Sequence, residues 1–158
     1  MTPDELCAHV PVANYAAGDV LLREGESSGR LFILVEGAVE IVKSGFQINV
    51  VSDRGAVFGE MSALPDAPHM ASVRALTACR LKRIEGGAAF LQTNKELAFF
   101  IAQLLAQRLN GVSSYLVDLK QQFADQENHL GMVDEILETL VQEQRRTFTP
   151  GSEREPDY

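Results

Sequence analysis

Residues 58–75 of this chain read Phe58-Gly59-Glu60-Met61-Ser62-Ala63-Leu64-Pro65-Asp66-Ala67-Pro68-His69-Met70-Ala71-Ser72-Val73-Arg74-Ala75. Gly59 allows a close approach of the backbone, and Glu60 to Leu64 can form one helical turn. The first N–H groups of such a turn have no helical partner and point toward an anion. Glu60 adds a carboxylate that accepts hydroxyl protons from a sugar, while His69 follows Pro68 opposite the start of the turn. The spacing therefore predicts a pocket for a sugar phosphate.

The same stretch resembles the phosphate-binding cassette of cyclic nucleotide-binding domains. The matching residues are Phe58, Gly59, Glu60, Ala71, Val73 and Ala75. The resemblance extends over about residues 10 to 120, because Gly18, Gly25, Gly37 and Gly55 lie between short apolar runs, as the strand turns of the family do. The chain is similar to the effector domain of catabolite activator proteins and to the regulatory subunits of cAMP-dependent protein kinase. The resemblance implies a mainly β, α+β fold: a β-roll (double-stranded β-helix, jelly-roll-like), then a long helix and a second helix.

The resemblance implies cAMP or cGMP as the ligand. It implies contacts from Phe58, Gly59, Glu60, Met61, Ser62, His69, Met70, Ser72, Arg108 and Ser113. Two positions depart from the family, which has arginine where His69 stands and, in many members, a small or hydroxyl residue where Met70 stands. Arginine presents a charged fork to a phosphodiester, whereas neutral imidazole has a single donor. A bound phosphate would raise the cationic fraction of His69.

Two hypotheses about this site remain open. In one, the domain is a sensor with an altered phosphate site. In the other, it no longer binds a ligand, His69 is a solvated loop residue, and the domain is a dimeric protein-interaction module. Ser72 is interpreted mainly as an outward strand residue, and Arg108 either pairs with Glu60 or is a solvated helix charge. Positive charge from another strand or loop is a further alternative, with Arg30, Arg54 and Arg74 as the candidates.

Hydrophobic alternation and turn residues predict short strands before and after the cassette. The predicted strands are 20–22, 31–35, 39–42, 47–51, 71–75 and 80–84, with Arg80 and Lys82 facing outward. Helical patterns are predicted at 4–10, capped by Thr2 or Asp4, at 60–64, at 88–93, and from Lys95 to about 123.

The long helix carries a heptad pattern on one side. Its members are Leu105, Leu109, Val112, Leu116, Leu119 and Phe123. Burial within the same chain is one interpretation; we favour a homodimer interface, since an adjacent stripe is apolar enough to pack on the roll. We expect a kink or break at 128–131, a second helix at about 132–145 and a disordered tail at 148–158. The predicted organisation is a domain at 1–123, a helical extension at 124–147, and the tail.

Composition limits the function classes. The formal net charge is -8, and residues 124–158 carry nine acidic and three basic side chains, so we expect no direct DNA binding and no DNA-binding domain. Neither metal-ligand motifs nor nucleophile motifs are present, which predicts a non-enzyme without metal or cofactor. Two cysteines and short apolar runs predict a cytoplasmic protein without a membrane segment. Output would pass through dimerisation or an unidentified effector protein.

Overall fold

A computed structural model describes residues 1–123 and 127–147 of the chain, with the backbone alone for 127–130 and 142–147. Two compact units are present, Met1–Gln103 and a second unit that begins at Leu104. The helices and strands are α1 (Pro3–Leu6), β1 (Val12–Tyr15), β2 (Val20–Leu22), β3 (Leu31–Glu36), β4 (Val39–Lys43), β5 (Phe46–Val51), β6 (Val57–Phe58), α2 (Glu60–Ala63), β7 (Ser72–Ala75), β8 (Cys79–Ile84), α3 (Gly87–Thr93), α4 (Lys95–Gln122) and α5 (Glu127–Thr147).

The first unit is built on two antiparallel sheets. Their strand orders are β1-β8-β3-β6 and β2-β7-β4-β5, so both sheets mix strands from before and after the cassette. Apolar side chains from both sheets form one core cluster, made of Leu21, Leu22, Phe32, Leu34, Val39, Phe58, Val73, Ala75, Cys79 and Leu81. Alternate residues of a strand point to opposite faces, and six of the eight strands contribute residues to this core, while Tyr15 of β1 and Val51 of β5 pack against it. The predicted mainly β fold, a β-roll followed by helices, is confirmed.

All six predicted strands are present, but two strands were missed. Strand β1 is a short edge strand with largely exposed residues, so it shows no alternation of buried and exposed positions. Strand β6 has only two residues, both buried, and pairs with β3 through Phe32 and Ile33. Both strands are defined by their partners rather than by a local pattern, which is why hydrophobic periodicity does not predict them.

The expectation that Lys82 faces solvent is wrong. Its side chain is buried, and its ammonium donates to the backbone carbonyls of Asp4 and Cys7 at 2.8 and 3.0 Å. It also forms an ion pair with the Asp4 carboxylate at 2.7 Å. The N-terminal segment therefore covers the outer side of β8, while Arg80 is exposed as expected. Alternation in a strand predicts which face a residue shares, but it does not show what covers that face.

The first helix is shorter than the predicted range of 4–10. Helix α1 ends at Leu6, and Thr2 is its N-cap in a reciprocal capping box with Glu5. The carboxylate of Asp4 also accepts hydrogen bonds from Arg54, at 2.7 and 2.9 Å. Asp4 thus connects the helix to β8 and to the loop before β6, and it does not cap the helix.

A break at 128–131 is also wrong, because α5 begins at Glu127 and continues through Gly131, whereas a kink there stays a prediction. Asn128 and His129 fall in the first turn of the helix, where polar residues are well tolerated. The predicted tail at 148–158 lies outside the described residues. No described helix has both the length and the apolar character needed to cross a lipid bilayer.

Candidate functional site

The residues of the cassette (58–75) continue directly from the core of the first unit. Phe58 ends β6 and is buried in the core cluster between the sheets. Gly59 follows, α2 begins at Glu60, and the chain returns through a loop to β7. The start of α2 is therefore fixed by a core strand, and the predicted helical turn is confirmed. Phe58 belongs to the core that supports the site.

Gly59 has a left-handed backbone conformation, with φ of +96°. A Cβ atom at this position would lie 2.2 Å from the carbonyl oxygen of Arg30. Glycine is therefore required here by the neighbouring loop as well as by the turn. The close backbone approach predicted at Gly59 is present, and the group that approaches is a backbone carbonyl of the same chain.

Glu60 and Ser62 are almost fully buried on α2, whereas Met61 is half exposed. Buried polar side chains of this kind are unusual and require hydrogen-bond partners. The hydroxyl of Ser62 lies 3.2 Å from the carbonyl of Gly59 and 2.6 Å from Nδ1 of His69. The turn thus presents its polar side chains to the interior of the first unit.

His69 is the central residue of this arrangement, and only 4% of its surface is exposed. Its Nδ1 atom lies 2.6 Å from the hydroxyl of Ser62, and its Nε2 atom lies 2.7 Å from the hydroxyl of Ser28. Both ring nitrogens are therefore engaged within the chain. The interpretation of His69 as a solvated loop residue is wrong, because the loop folds its ring under the surface.

The hydrogen bonds around His69 are all satisfied by one neutral tautomer. The Arg30 backbone N–H donates to the Ser28 hydroxyl at 3.3 Å, and Ser28 in turn donates to Nε2 of His69. On the other side, Nδ1–H donates to Ser62, whose hydroxyl donates to the Gly59 carbonyl. We assign the Nδ1–H tautomer on this basis. Its single N–H is consequently used by Ser62 and is not directed at a ligand.

The electrostatic environment also favours neutral imidazole. Burial lowers the pKa of His69, the carboxylate of Glu26 acts in the opposite direction, and the cation of Arg30 lowers the pKa further. The position that resembles the phosphate-binding arginine is thus occupied by an uncharged ring near neutral pH.

Backbone hydrogen bonds hold the loop of His69 against the segment between β2 and β3. The His69 N–H donates to the carbonyl of Glu26, and the Gly25 N–H donates to the carbonyl of His69, both at 2.9 Å. Ser28 belongs to the same segment and was not among the predicted site residues. The sequence did indicate a polar turn at 24–29, but no local pattern shows that this turn meets residue 69.

Met70 and Ser72 follow His69 toward β7. The side chain of Met70 is mostly exposed, so it does not fill space in the interior. The hydroxyl of Ser72 accepts a hydrogen bond of 2.9 Å from the backbone N–H of Glu24. Ser72 therefore joins β7 to the end of β2. This hydrogen bond gives Ser72 a structural role that does not involve a ligand.

Each of the three alternative arginines forms an ion pair within the first unit. Arg30 donates through Nε to both carboxylate oxygens of Glu85 at 3.1 Å. Arg54 pairs with Asp4 at 2.7 Å, and Nε of Arg74 donates to Glu40 at 2.6 Å. The hydrogen bonds from Arg83 and Arg30 lower the pKa of Glu85, and those from Gln47 and Arg74 lower the pKa of Glu40, so both carboxylates stay ionised. Each of the three guanidinium groups is thus engaged by a carboxylate, and the alternative that one of them replaces the missing fork stays a prediction.

The predicted residues on α4 belong to the second unit. Arg108 is exposed, Ser113 is partly buried, and each lies beyond Leu104. The proposed contact between Arg108 and Glu60 stays a prediction. In the heptad pattern, Leu116 is buried within the chain and Val112 is half exposed. Among the described residues, no group of three His, Cys, Asp or Glu side chains is close enough to hold a metal ion.

Comparison with known proteins identifies the class. A family model described as "Cyclic nucleotide-binding domain" matches residues 12–93, just over half of the chain, and the chain therefore belongs to the cyclic nucleotide-binding domain family. The cAMP-dependent protein kinase regulatory subunit of Schizosaccharomyces pombe is 28% identical over 92 residues. That match covers 53% of this chain and 22% of the relative, so the chain spans about a fifth of the relative's length.

Solved structures show the same fold. The catabolite activator protein of Thermus thermophilus superimposes with a TM-score of 0.63 at 23% identity, covering 74% of this chain and 58% of that one. A cyclic nucleotide-binding domain from Methylobacillus flagellatus superimposes with a TM-score of 0.58 at 24% identity, covering 68% of this chain and 66% of that one. The resemblance stated from the cassette is thereby confirmed for family and fold.

Proposed function

We propose that this chain is a non-catalytic regulatory sensor that binds a cyclic nucleotide weakly, with His69 as an atypical and protonation-dependent phosphate contact. Family membership supports a cyclic nucleotide as the ligand class. The observation that carries the proposal is the hydrogen-bonded position of His69 between Ser28 and Ser62. The ring is held in the loop after Pro68, at the position that the family uses for its phosphate contact.

Neutral His69 has no donor left for a phosphate, because its single N–H is bonded to Ser62. Protonation adds a second N–H at Nε2, which then donates to a phosphate oxygen once the Ser28 hydroxyl turns away. The cation also supplies the opposite charge that a phosphodiester requires. Since burial lowers the pKa of His69, this contact becomes available below pH 6.5 in the free protein. A bound phosphate raises the pKa again and so stabilises its own site.

A second candidate function is a domain that binds no nucleotide and acts only as a dimeric interaction module. It is favoured by the same hydrogen bonds, because Ser28, Ser62 and His69 satisfy one another without a ligand. The ion pairs of Arg30 and Arg74 point the same way, since these cations are already neutralised. The two candidates differ in whether the closed network opens.

For output, we propose a homodimer and an effector protein, without direct DNA binding. The heptad residues of α4 and the acidic balance of residues 124–158 support this part of the proposal. A ligand bound at the cassette signals to the second unit through α4, which begins in the first unit and ends in the second. The proposed location is the cytoplasm, where cyclic nucleotides are available.

The experiment is calorimetric titration of the full chain with cAMP and cGMP at pH 5.5 and 7.5. We expect binding at pH 5.5 that weakens at least about tenfold at pH 7.5, which corresponds to about 1.4 kcal/mol. His69→Arg should bind at both pH values, and His69→Gln at neither. A wild type that gives no heat at either pH, with binding only in His69→Arg, would establish the non-binding module instead.

A further inference from the structure

The second unit contains two helices that run back along each other. Lys120, near the end of α4, forms an ion pair with Asp134, which lies two turns into α5. One turn earlier in α4 the side chain of Leu116 is buried, and on α5 the side chain of Val133 is buried. The contact and the burial together indicate an antiparallel helical hairpin, with Leu116 and Val133 on its inner side.

Four apolar side chains on this hairpin remain exposed: Val112 (50%), Tyr115 (63%), Met132 (64%) and Ile136 (42%). A residue is rotated by about 100° from its neighbour along a helix, so Tyr115 and Met132 are each one step before a buried residue. Because the helices are antiparallel, the residue that precedes the buried one points to the same side of the hairpin on both helices. Val112 is rotated from Leu116, and Ile136 from Val133, by smaller angles toward the same side of the hairpin.

These four residues therefore form one patch, which we call the hairpin patch. Two further apolar residues, Val117 (42%) and Val141 (49%), lie at about 100° and 80° in the opposite direction. They lie on the other side of the hairpin. The apolar exposure is thus concentrated on one face.

We infer that the hairpin patch binds the same patch of a second copy of this chain, forming a four-helix bundle from α4 and α5 of two protomers. Among the described side chains of the second unit, only Leu116 and Val133 are buried, and the leucines beside them are only partly buried: Leu105, Leu109, Leu119, Leu137 and Leu140. Two helices with so few fully buried side chains have less buried area than a stable bundle needs. A symmetric dimer buries the same patch twice and supplies that core.

The size of the face fits a second copy. Helix α5 has 21 residues, hence a length of about 30 Å, and two helices side by side are about 20 Å wide. A face of roughly 600 Å² approaches the area of about 800 Å² per partner that is typical of specific interfaces. The patch residues are also uncharged, so two copies of an acidic chain can meet there without bringing like charges together.

This inference rests on the proposed function only in treating the second unit as the output element. It changes the expected interface, however, because Leu116 of the heptad pattern is already buried within its own chain. A coiled coil formed by α4 alone would need that residue and would not involve α5. In the four-helix bundle, residues of α5 contribute directly to dimerisation.

The test is sedimentation velocity on the full chain and on three variants. The patch variant is Tyr115→Asp with Ile136→Asp, and a second variant carries Met132→Glu alone. The control is Val117→Asp with Val141→Asp, which places the same charges on the opposite side at similar exposure. We expect a dimeric wild type and a dimeric control. Each patch variant should have a dissociation constant raised by roughly a hundredfold or more, because it buries unpaired carboxylates.

A monomeric wild type, or equal losses in patch variants and control, would overturn the inference. So would an unchanged dimer in Met132→Glu, since this residue lies on α5. Circular dichroism on every variant checks that the helices are intact. Titration of cAMP into the same samples separates the two claims: a dimer without nucleotide binding contradicts the sensor and supports the bundle, whereas a monomer that binds nucleotide does the reverse.

Discussion

At the residue scale, His69 shows how a histidine is accommodated at the position that resembles the arginine of the family. Arginine would require an anion or a carboxylate near its guanidinium, whereas imidazole needs only one donor and one acceptor, which Ser62 and Ser28 provide. The loop is consequently closed by hydrogen bonds of the protein itself. The cassette therefore has an internally bonded ring at this position, and burial favours its uncharged form.

The buried position of His69 predicts a pH dependence of stability. In the unfolded chain its pKa is about 6.5, and in the folded chain it is lower. Between these values the unfolded chain binds more protons, so the contribution is complete above pH 6.5 and is lost as the pH falls below it. Urea unfolding at pH 7.5, 6.5 and 5.5 should show a steeper loss for wild type than for His69→Gln. The variant His9→Gln, at an exposed position, is measured in parallel as the control for replacing a histidine by glutamine.

Gly59 gives a second prediction at this scale. Gly59→Ala should cost more stability than the left-handed conformation alone explains, because its Cβ would overlap the Arg30 carbonyl at 2.2 Å. Gly18 has a nearly identical φ of +93° with nothing within 4 Å, so Gly18→Ala measures the conformational cost, about 1 kcal/mol. Urea unfolding of both variants gives the comparison. Equal losses would show that the loop moves away without penalty.

At the scale of elements, α1 is fastened to β8 by a buried ion pair. Asp4→Ala removes the partner of Lys82, whose ammonium is buried and also bonded to two carbonyls. We expect a loss of about 3 kcal/mol in the free energy of unfolding, because a buried charge is left without its partner. Glu36→Ala breaks the exposed pair with Arg80 and should cost less than about 1 kcal/mol. If the two losses of stability were similar, the buried ammonium of Lys82 would not need the carboxylate of Asp4 as its partner.

The long helices carry glycines that have no steric role. A Cβ at Gly111 in α4 would have nothing within 4 Å, and the same holds at Gly131 in α5. Alanine at either position should raise helix stability by about 1 kcal/mol, through its higher helix propensity. Thermal melting followed by circular dichroism checks this, with a lowered midpoint as the contrary result.

Elements were predicted from sequence where they carry their own pattern. Strand β3 is apolar up to Glu36, and β4 is an apolar run interrupted by Glu40; both were found with nearly correct bounds. Edge strand β1 and two-residue strand β6 have no such pattern and depend on pairing with β8 and β3. Lys82 was misassigned for the same reason, because its cover comes from the distant N-terminal segment. Contacts between residues far apart in sequence determine which short segments pair as strands and which faces are covered, and periodicity does not predict either.

At the scale of the whole molecule, the cassette sequence was sufficient to predict the family and the fold of the first unit. It identified position 69 as unusual, yet the partners of His69 could not be read from it. Ser28 lies far away in sequence, and only the pairing of the β2–β3 segment with the loop brings the two together. The homodimer interface on α4 was predicted from the heptad pattern and the adjacent apolar stripe, and it stays a prediction.

The central claim is that His69 is a neutral, hydrogen-bonded ring that becomes a phosphate contact on protonation. Its most direct test is an NMR titration of the ring nitrogens, using His9→Gln and His129→Gln to assign the signals, with and without excess cAMP. The account predicts the Nδ1–H tautomer at pH 7.5, a pKa below 6.5 in the free protein, and a clear increase in that pKa when cAMP is present. A pKa at or above 6.5 without nucleotide, or one that cAMP does not change, would contradict it.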